Sequence, residues 1–199
     1  LGSGVDTKHY SYSYKKFEKK NIKFLYAGRL IKDKGVIELI KTFKKIVKSN
    51  NNVKLTIAGK IDIENSPKIE NEIIKNNNSN QIEFVGNITN LKELIIDSDF
   101  CILLSYREGL SNFLIESASV GRPLISTNVA GCKEIVDNNN GFLCEKKNIR
   151  NSIDIINKSI QISDNKYQQM SLSSRKKALE IFDNKIVLNK YLKIINNII

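Results

Sequence analysis

From residue 21 onward, short apolar runs alternate with longer amphipathic ones. Residues 22–27 read Ile-Lys-Phe-Leu-Tyr-Ala and close on Gly28, the pattern of a strand buried on both faces. Residues 36–47 place Val36, Ile37, Leu39, Ile40, Phe43, Ile46 and Val47 at helical spacing. Further short apolar runs predict strands over 53–58, 82–85, 100–104, 123–127 and 141–144. Helices are expected between them over 69–74, 91–96 and 112–120, with Thr89 or Asn90 and then Ser111 as N-caps. Three more follow in succession over 149–162, 167–182 and 185–198. The last is apolar around too much of its circumference for a surface helix, so part of it should meet another body.

Strands that alternate with helices, and are themselves nearly all apolar, predict an α/β fold. The expectation is a Rossmann-like parallel sheet with helices on both faces, followed by C-terminal helices. Right-handed crossovers then bring every strand's carboxyl end to one edge, where ligands of such sheets bind. The loops after Ala27, Ala58, Val85, Leu104 and Thr127 are the ones to search. Residues 1–20 are polar and read as an interdomain linker or the tail of an earlier domain. Residues 21–165 form the expected sheet domain, and 166–199 the closing helices. With no initiator Met, the chain reads as an excised part of a longer protein.

Composition removes several function classes. Lys and Arg number 32 against 21 acids, a formal charge of +11, but the excess is mostly Lys scattered over many segments. That is the pattern of a solvated surface rather than of a nucleic-acid footprint, with peripheral attraction to an anionic membrane face or carrier left open. No apolar run approaches the roughly 20 residues needed to cross a bilayer. Cys101, Cys132 and Cys144 lie far apart without a Cys-x-x-Cys pair, which argues against a disulfide framework or zinc ribbon and for a reducing, cytoplasmic setting. His9 is the single histidine, so a His-based metal site or a Ser-His-Asp triad is not expected.

Two of the strand-end loops carry chemistry. The first runs from Gly28 through Arg29 to Lys34 and Gly35, just before a helix. Arg29, with a planar fork, and Lys34, a point charge, could clamp a phosphate beside that helix start. Two solvated cations near a turn would look the same. The second reads Ser105-Tyr106-Arg107-Glu108-Gly109-Leu110-Ser111-Asn112, with Glu116 inside the helix that follows. The N–H groups around residues 110–112 offer an anion cradle, and carboxylates at Glu108 and Glu116 could each accept sugar hydroxyls on either side of a diphosphate. Ordinary helix and loop acids, or a glycosidase carboxylate pair, are the competing readings.

Taken together, these motifs resemble the retaining glycosyltransferases of family four, two-lobed enzymes of GT-B architecture. The residues that carry the resemblance are Gly28-Arg29-Leu30, Lys34-Gly35, the stretch from Glu108 to Glu116, Gly121-Arg122-Pro123, Gly131-Cys132-Lys133-Glu134 and Asn140-Gly141-Phe142. The similarity covers nearly the whole chain but only the C-terminal, donor-binding half of such an enzyme. It implies that Arg29 and Lys34 bind the diphosphate of a nucleotide-sugar, and that Glu108 holds the donor sugar. Glu108, Arg29 and Lys34 are thus the implied catalytic set. Gly28, Gly109, Leu110, Ser111 and Asn112 would add donor contacts, Glu116 would hold the ribose, and Gly86, Asn87 and Ile88 would face the base. The resemblance also implies a hexose or N-acetylhexosamine donor linked to UDP, and a glycan or lipid-linked acceptor of bacterial surface polysaccharide synthesis. No metal or other cofactor is implied, and the missing N-terminal lobe would be the principal partner. A nucleotide-binding module without catalysis, or a nucleotide-sugar epimerase of the same architecture, remains the alternative.

Overall fold

The computed structural model describes residues 2–61 and 80–197. The helix expected over 69–74 and the last position of the closing helix, Ile198, lie outside the described residues. The strands are β1 (Ile22–Ala27), β2 (Val53–Ala58), β3 (Ile82–Gly86), β4 (Phe100–Leu103), β5 (Leu124–Thr127) and β6 (Gly141–Cys144). They form one sheet in the order β3-β2-β1-β4-β5-β6, and every pairing is parallel. The described helices are α1 (Val36–Ser49), α2 (Leu91–Asp97), α3 (Asn112–Val120), α4 (Ala130–Ile135), α5 (Ile149–Gln161), α6 (Asp164–Lys177) and α7 (Asn184–Asn196). Helices α1 and α5 pack against each other, as do α3 and α6, and the sheet lies between these layers. The expected Rossmann-like architecture is therefore the one observed.

Strand order reverses between β1 and β4, the innermost pair. Chain leaving β1 and chain leaving β4 turn to opposite sides of the sheet, which opens a crevice above their carboxyl ends. Both strands are buried almost throughout, with Leu25, Tyr26, Phe100, Cys101 and Ile102 excluded from water. Phe24 stacks on Phe100 at 5.3 Å and meets Phe43 of α1 edge-on at 5.1 Å, which ties the two innermost strands to α1. Rigid strands beneath mobile chemistry are what a binding edge needs.

Residues 2–20, expected as a linker, are laid down on the lobe. Val5 pairs in parallel with Asp183, and Phe17 stacks on Tyr167 of α6 at 4.9 Å. The Arg175 guanidinium donates to the Tyr10 and Ser119 carbonyls at 2.9 and 2.8 Å, and to the Thr7 carbonyl at 3.1 Å. Helix α6 buries Tyr167, Met170, Ser171 and Ser174 in this lobe. The single helix expected over 167–182 is two segments, α6 and a π-helical turn at Ala178–Phe182. Helix α7 buries none of its described side chains and leaves Leu188, Tyr191, Leu192, Ile194 and Ile195 exposed. No helix among the described residues is long and apolar enough to cross a membrane.

Helix α4 lies between β5 and β6, where no element is predicted from the sequence. It has six residues, a glycine in its first turn and no side-chain cap, so it leaves no periodic trace in the sequence. Cys132 on this helix, considered above only as a member of a motif, is fully buried, and burial pushes its thiol up. It packs; it does not face the crevice.

Candidate active site

The first loop begins where β1 ends. The Tyr26 hydroxyl donates to the Arg29 carbonyl at 2.8 Å, which holds the loop over the strand. A 3-10 turn at Lys32–Lys34 follows, and Gly35 ends it at φ 68°. A Cβ on Gly35 would lie 2.0 Å from the Leu104 carbonyl oxygen, so a side chain is excluded by space as well as by φ. Helix α1 therefore starts pressed against the end of β4. The Tyr106 N–H donates to the Asp33 carbonyl at 2.8 Å, and so the two crevice loops are joined by backbone.

This junction brings Lys34 onto Glu108. The ammonium lies 2.6 and 2.9 Å from the two carboxylate oxygens, and the Ser105 hydroxyl donates to one of them at 3.0 Å. Both groups are largely withdrawn from water, with side-chain exposures of 21% for Lys34 and 9% for Glu108. An ammonium has three donors. Two are spent on Glu108, which leaves one for a further acceptor above the helix start. Arg29 is exposed on the same loop and has no ion-pair partner among the described residues.

Helix α3 opens at Ser111, whose hydroxyl accepts from the Leu114 N–H at 3.4 Å. The N-cap expectation is met, and the side chain is used up in the cap. Glu116, one turn further on, is half-buried. Its carboxylate meets the Tyr10 phenol, which the N-terminal segment delivers; the Ser119 hydroxyl donates to the Tyr10 carbonyl at 2.7 Å to hold it there. Burial raises the Glu116 carboxyl above the usual carboxylate range, and the Tyr10 hydrogen bond pulls it partly back. The Tyr10 phenol is itself pushed up to about 12, by burial first and then by the nearby carboxylate.

Two cavities flank these groups. One, of about 350 Å³, brings together Gly28, Arg29, Asn87, Ile88, Asn112 and Glu116, six of the residues singled out in the sequence. Its wall also includes Lys60, Leu91 and Phe113, which sequence reading missed. Lys60 and Leu91 follow β2 and β3 and reach the site only because those strands neighbour β1. The other cavity, of about 480 Å³, holds Glu108, Gly109 and Leu110, with Gly131 of α4 opposite. Lys34 lines neither cavity and reaches the second only through its ion pair with Glu108. Gly86 lines neither: its carbonyl accepts from the Gly59 N–H at 2.7 Å and shapes the turn behind the site.

The start of α3, the exposed Arg29, the Lys34–Glu108 pair and the half-buried Glu116 thus all stand at the loops above the carboxyl ends of β1 and β4. The family model described as "Glycosyl transferases group 1" matches residues 12–177. The chain belongs to this family. Among curated relatives of this group 1 glycosyltransferase, the capsular polysaccharide biosynthesis glycosyltransferase CapM of Staphylococcus aureus is 28% identical over 193 residues, covering 93% of this chain and 50% of CapM. The chain thus spans about half the length of that relative. Among solved structures, HepE of Anabaena in complex with UDP and glucose superposes with a TM-score of 0.83 at 19% identity, over 98% of this chain and 55% of HepE. The C-terminal domain of the group 1 family protein LpcC from Francisella tularensis gives a TM-score of 0.77 at 20% identity, over 91% of this chain and 100% of that domain. At these identities the structural likeness speaks to fold.

Proposed function

We propose that this group 1 glycosyltransferase chain is the C-terminal, donor-binding half of a retaining enzyme of family four. In this reading it takes a hexose or N-acetylhexosamine from a UDP-sugar, and the acceptor is a glycan or lipid-linked glycan of surface polysaccharide synthesis. The observation that carries it is the Lys34–Glu108 pair, whose carboxylate opens on one cavity, together with Arg29 and Glu116 in the wall of a second. Laid along this line, the nucleoside sits by Asn87 and Ile88 with its ribose hydroxyls on Glu116. The diphosphate lies at the start of α3 between Arg29 and Lys34, and the sugar rests against Glu108. Departure of the nucleoside diphosphate builds negative charge on the bridging oxygen. Two cations, of which Lys34 is held by Glu108, and a helix start at that position stabilise it more in the transition state than before, which is where rate is gained. No metal is called for in this scheme, because Arg29 and Lys34 supply the positive charge. The polysaccharide role is carried over from CapM and from the sequence resemblance. A cytoplasmic setting belongs to the same proposal, as do peripheral membrane contact and a second lobe facing α7.

Calorimetry with UDP, GDP and ADP tests the donor half directly: UDP should bind most tightly, and the absence of heat with all three would end the proposal. A pH series tests the ribose contact. Glu116 accepts hydroxyls only as a carboxylate, and its carboxyl is raised, so UDP affinity should fall as pH drops into the region just above the ordinary carboxylate range. Folding has the opposite sign. A raised acid stabilises the fold most when protonated and loses that contribution as pH rises through the raised value. Glu116→Gln should therefore weaken UDP by about 10- to 100-fold at neutral pH and remove the acidic pH dependence, yet leave the melting temperature unchanged or higher. A lower melting temperature together with unchanged UDP binding would place Glu116 in the scaffold instead.

A further inference from the structure

A third cavity, of about 390 Å³, has Glu108 in its wall and shares no lining residue with the cavity of Arg29 and Glu116. Its wall includes Arg107, Glu108, Asn128 and Lys146, with Tyr106 at its floor. Neither Arg107 nor Lys146 has an ion-pair partner among the described residues. The one acid in the wall, Glu108, already has its oxygens engaged by Lys34 and Ser105. The neighbouring Glu145 accepts from the Asn148 side chain at 2.8 Å.

Lys147 adds a third cation, its ammonium 4.5 Å above the Tyr106 ring. Among the described residues it is the one non-glycine residue with positive φ, at 60°. The turn is forced: Asn148 caps α5 by accepting from the Asn151 N–H, and the Asn151 side chain accepts in return from the Glu145 N–H. Non-glycine residues held in the left-handed region cluster where a backbone has been bent to present side chains. Here the bend follows β6 and puts Lys146 and Lys147 beside the loop that follows β4. Unpaired cations in a concave wall focus their field into it.

We propose that Arg107 and Lys146, supported by Lys147, form a binding site for a phosphate or carboxylate that a substrate carries next to the transferred sugar. The site rests on the donor reading for its meaning, because it shares Glu108 with the sugar cavity. The anion could belong to the donor sugar, as a carboxylate, or to the acceptor, as a phosphate; the chemistry recognised is the same. Arg offers two parallel donors to either group and Lys adds a point charge.

The test compares the native chain with the Arg107→Ala/Lys146→Ala double variant, by calorimetry at low and high salt. Both positions are exposed, so the variant should fold and bind UDP as the native chain does. In one arm, UDP-glucuronate is measured against UDP-glucose. In the other, farnesyl diphosphate is titrated with UDP held at saturation. A preference of about tenfold for UDP-glucuronate, erased in the variant and by salt, places the anion on the donor. Farnesyl diphosphate binding that is lost in the variant places it on the acceptor. If neither arm distinguishes the two proteins, the proposal is overturned. If UDP itself fails to bind while farnesyl diphosphate still discriminates, the donor reading falls and the anion site stands.

Discussion

Gly131→Ala should lower thermal stability by about 3 kcal/mol and strip UDP-glucose of any affinity advantage it holds over UDP. A Cβ at this position would stand 1.1 Å from the Gly109 carbonyl oxygen and 2.8 Å from that of Glu108. Both are backbone atoms on a loop already tied to β1 through Tyr106 and Asp33, so no side chain can swing aside to make room. The loop must move by more than an ångström or α4 must lift from the sheet. Either response displaces Glu108 from Lys34 and spoils the sugar end of the crevice while the nucleoside end survives. Gly109→Ala is the control, because a Cβ there meets nothing within 4 Å. Differential scanning of both variants checks the stability difference, and calorimetry with the two ligands checks the selectivity. Native-like melting of the Gly131 variant would show that the helix and loop are not in the contact described.

The two cations should fail in different ways. Arg29→Ala removes an exposed side chain that has no ion-pair partner among the described residues, so the fold should be unaffected while UDP affinity drops by roughly 100-fold. Lys34→Ala should cost UDP as much, and it should also destabilise the free protein by about 1–3 kcal/mol. It leaves the Glu108 carboxylate withdrawn from water with only the Ser105 hydroxyl for support. Lys34→Ala/Glu108→Gln removes the stranded charge and should recover most of the lost stability without recovering UDP. Chemical denaturation of the four proteins, alongside titration with UDP, reads both effects. Equal stability of the Lys34 and Arg29 variants would mean that the ion pair contributes nothing to the fold.

How much of this could be read from the chain follows from the range of each interaction. The strands were legible because a strand covered on both faces is mostly apolar: 100–104 is so throughout, while 22–27 and 53–58 are interrupted only by Lys23, Lys54 and Thr56. The two crevice loops were legible because Gly28, Gly35 and Gly109 interrupt those runs beside charged residues. The pairing of Lys34 with Glu108 was not legible. It spans 74 positions and depends on β1 lying beside β4, a fact of topology to which no local pattern points. Tyr10 was hidden for another reason: it lies in a polar stretch with no periodicity, and only the Arg175 and Ser119 hydrogen bonds show that the stretch is held down. Helix α4 escaped because one and a half turns are too few to show a face. The breadth of the apolar side of α7 was legible in the spacing of its Ile, Leu and Tyr residues.

The bridge between Val5 and Asp183 has a mechanical consequence. The chain enters this lobe and leaves its packed part side by side, joined by the Val5 N–H to the Phe182 carbonyl at 2.8 Å and the Asn184 N–H to the Val5 carbonyl at 3.0 Å. Two crossings so close together behave as one axle: swivelling about them breaks little, whereas sliding across them breaks both bonds. A twist at this axle would pass along the segment from Val5 to Tyr10, and so to the Glu116 carboxylate that Tyr10 touches.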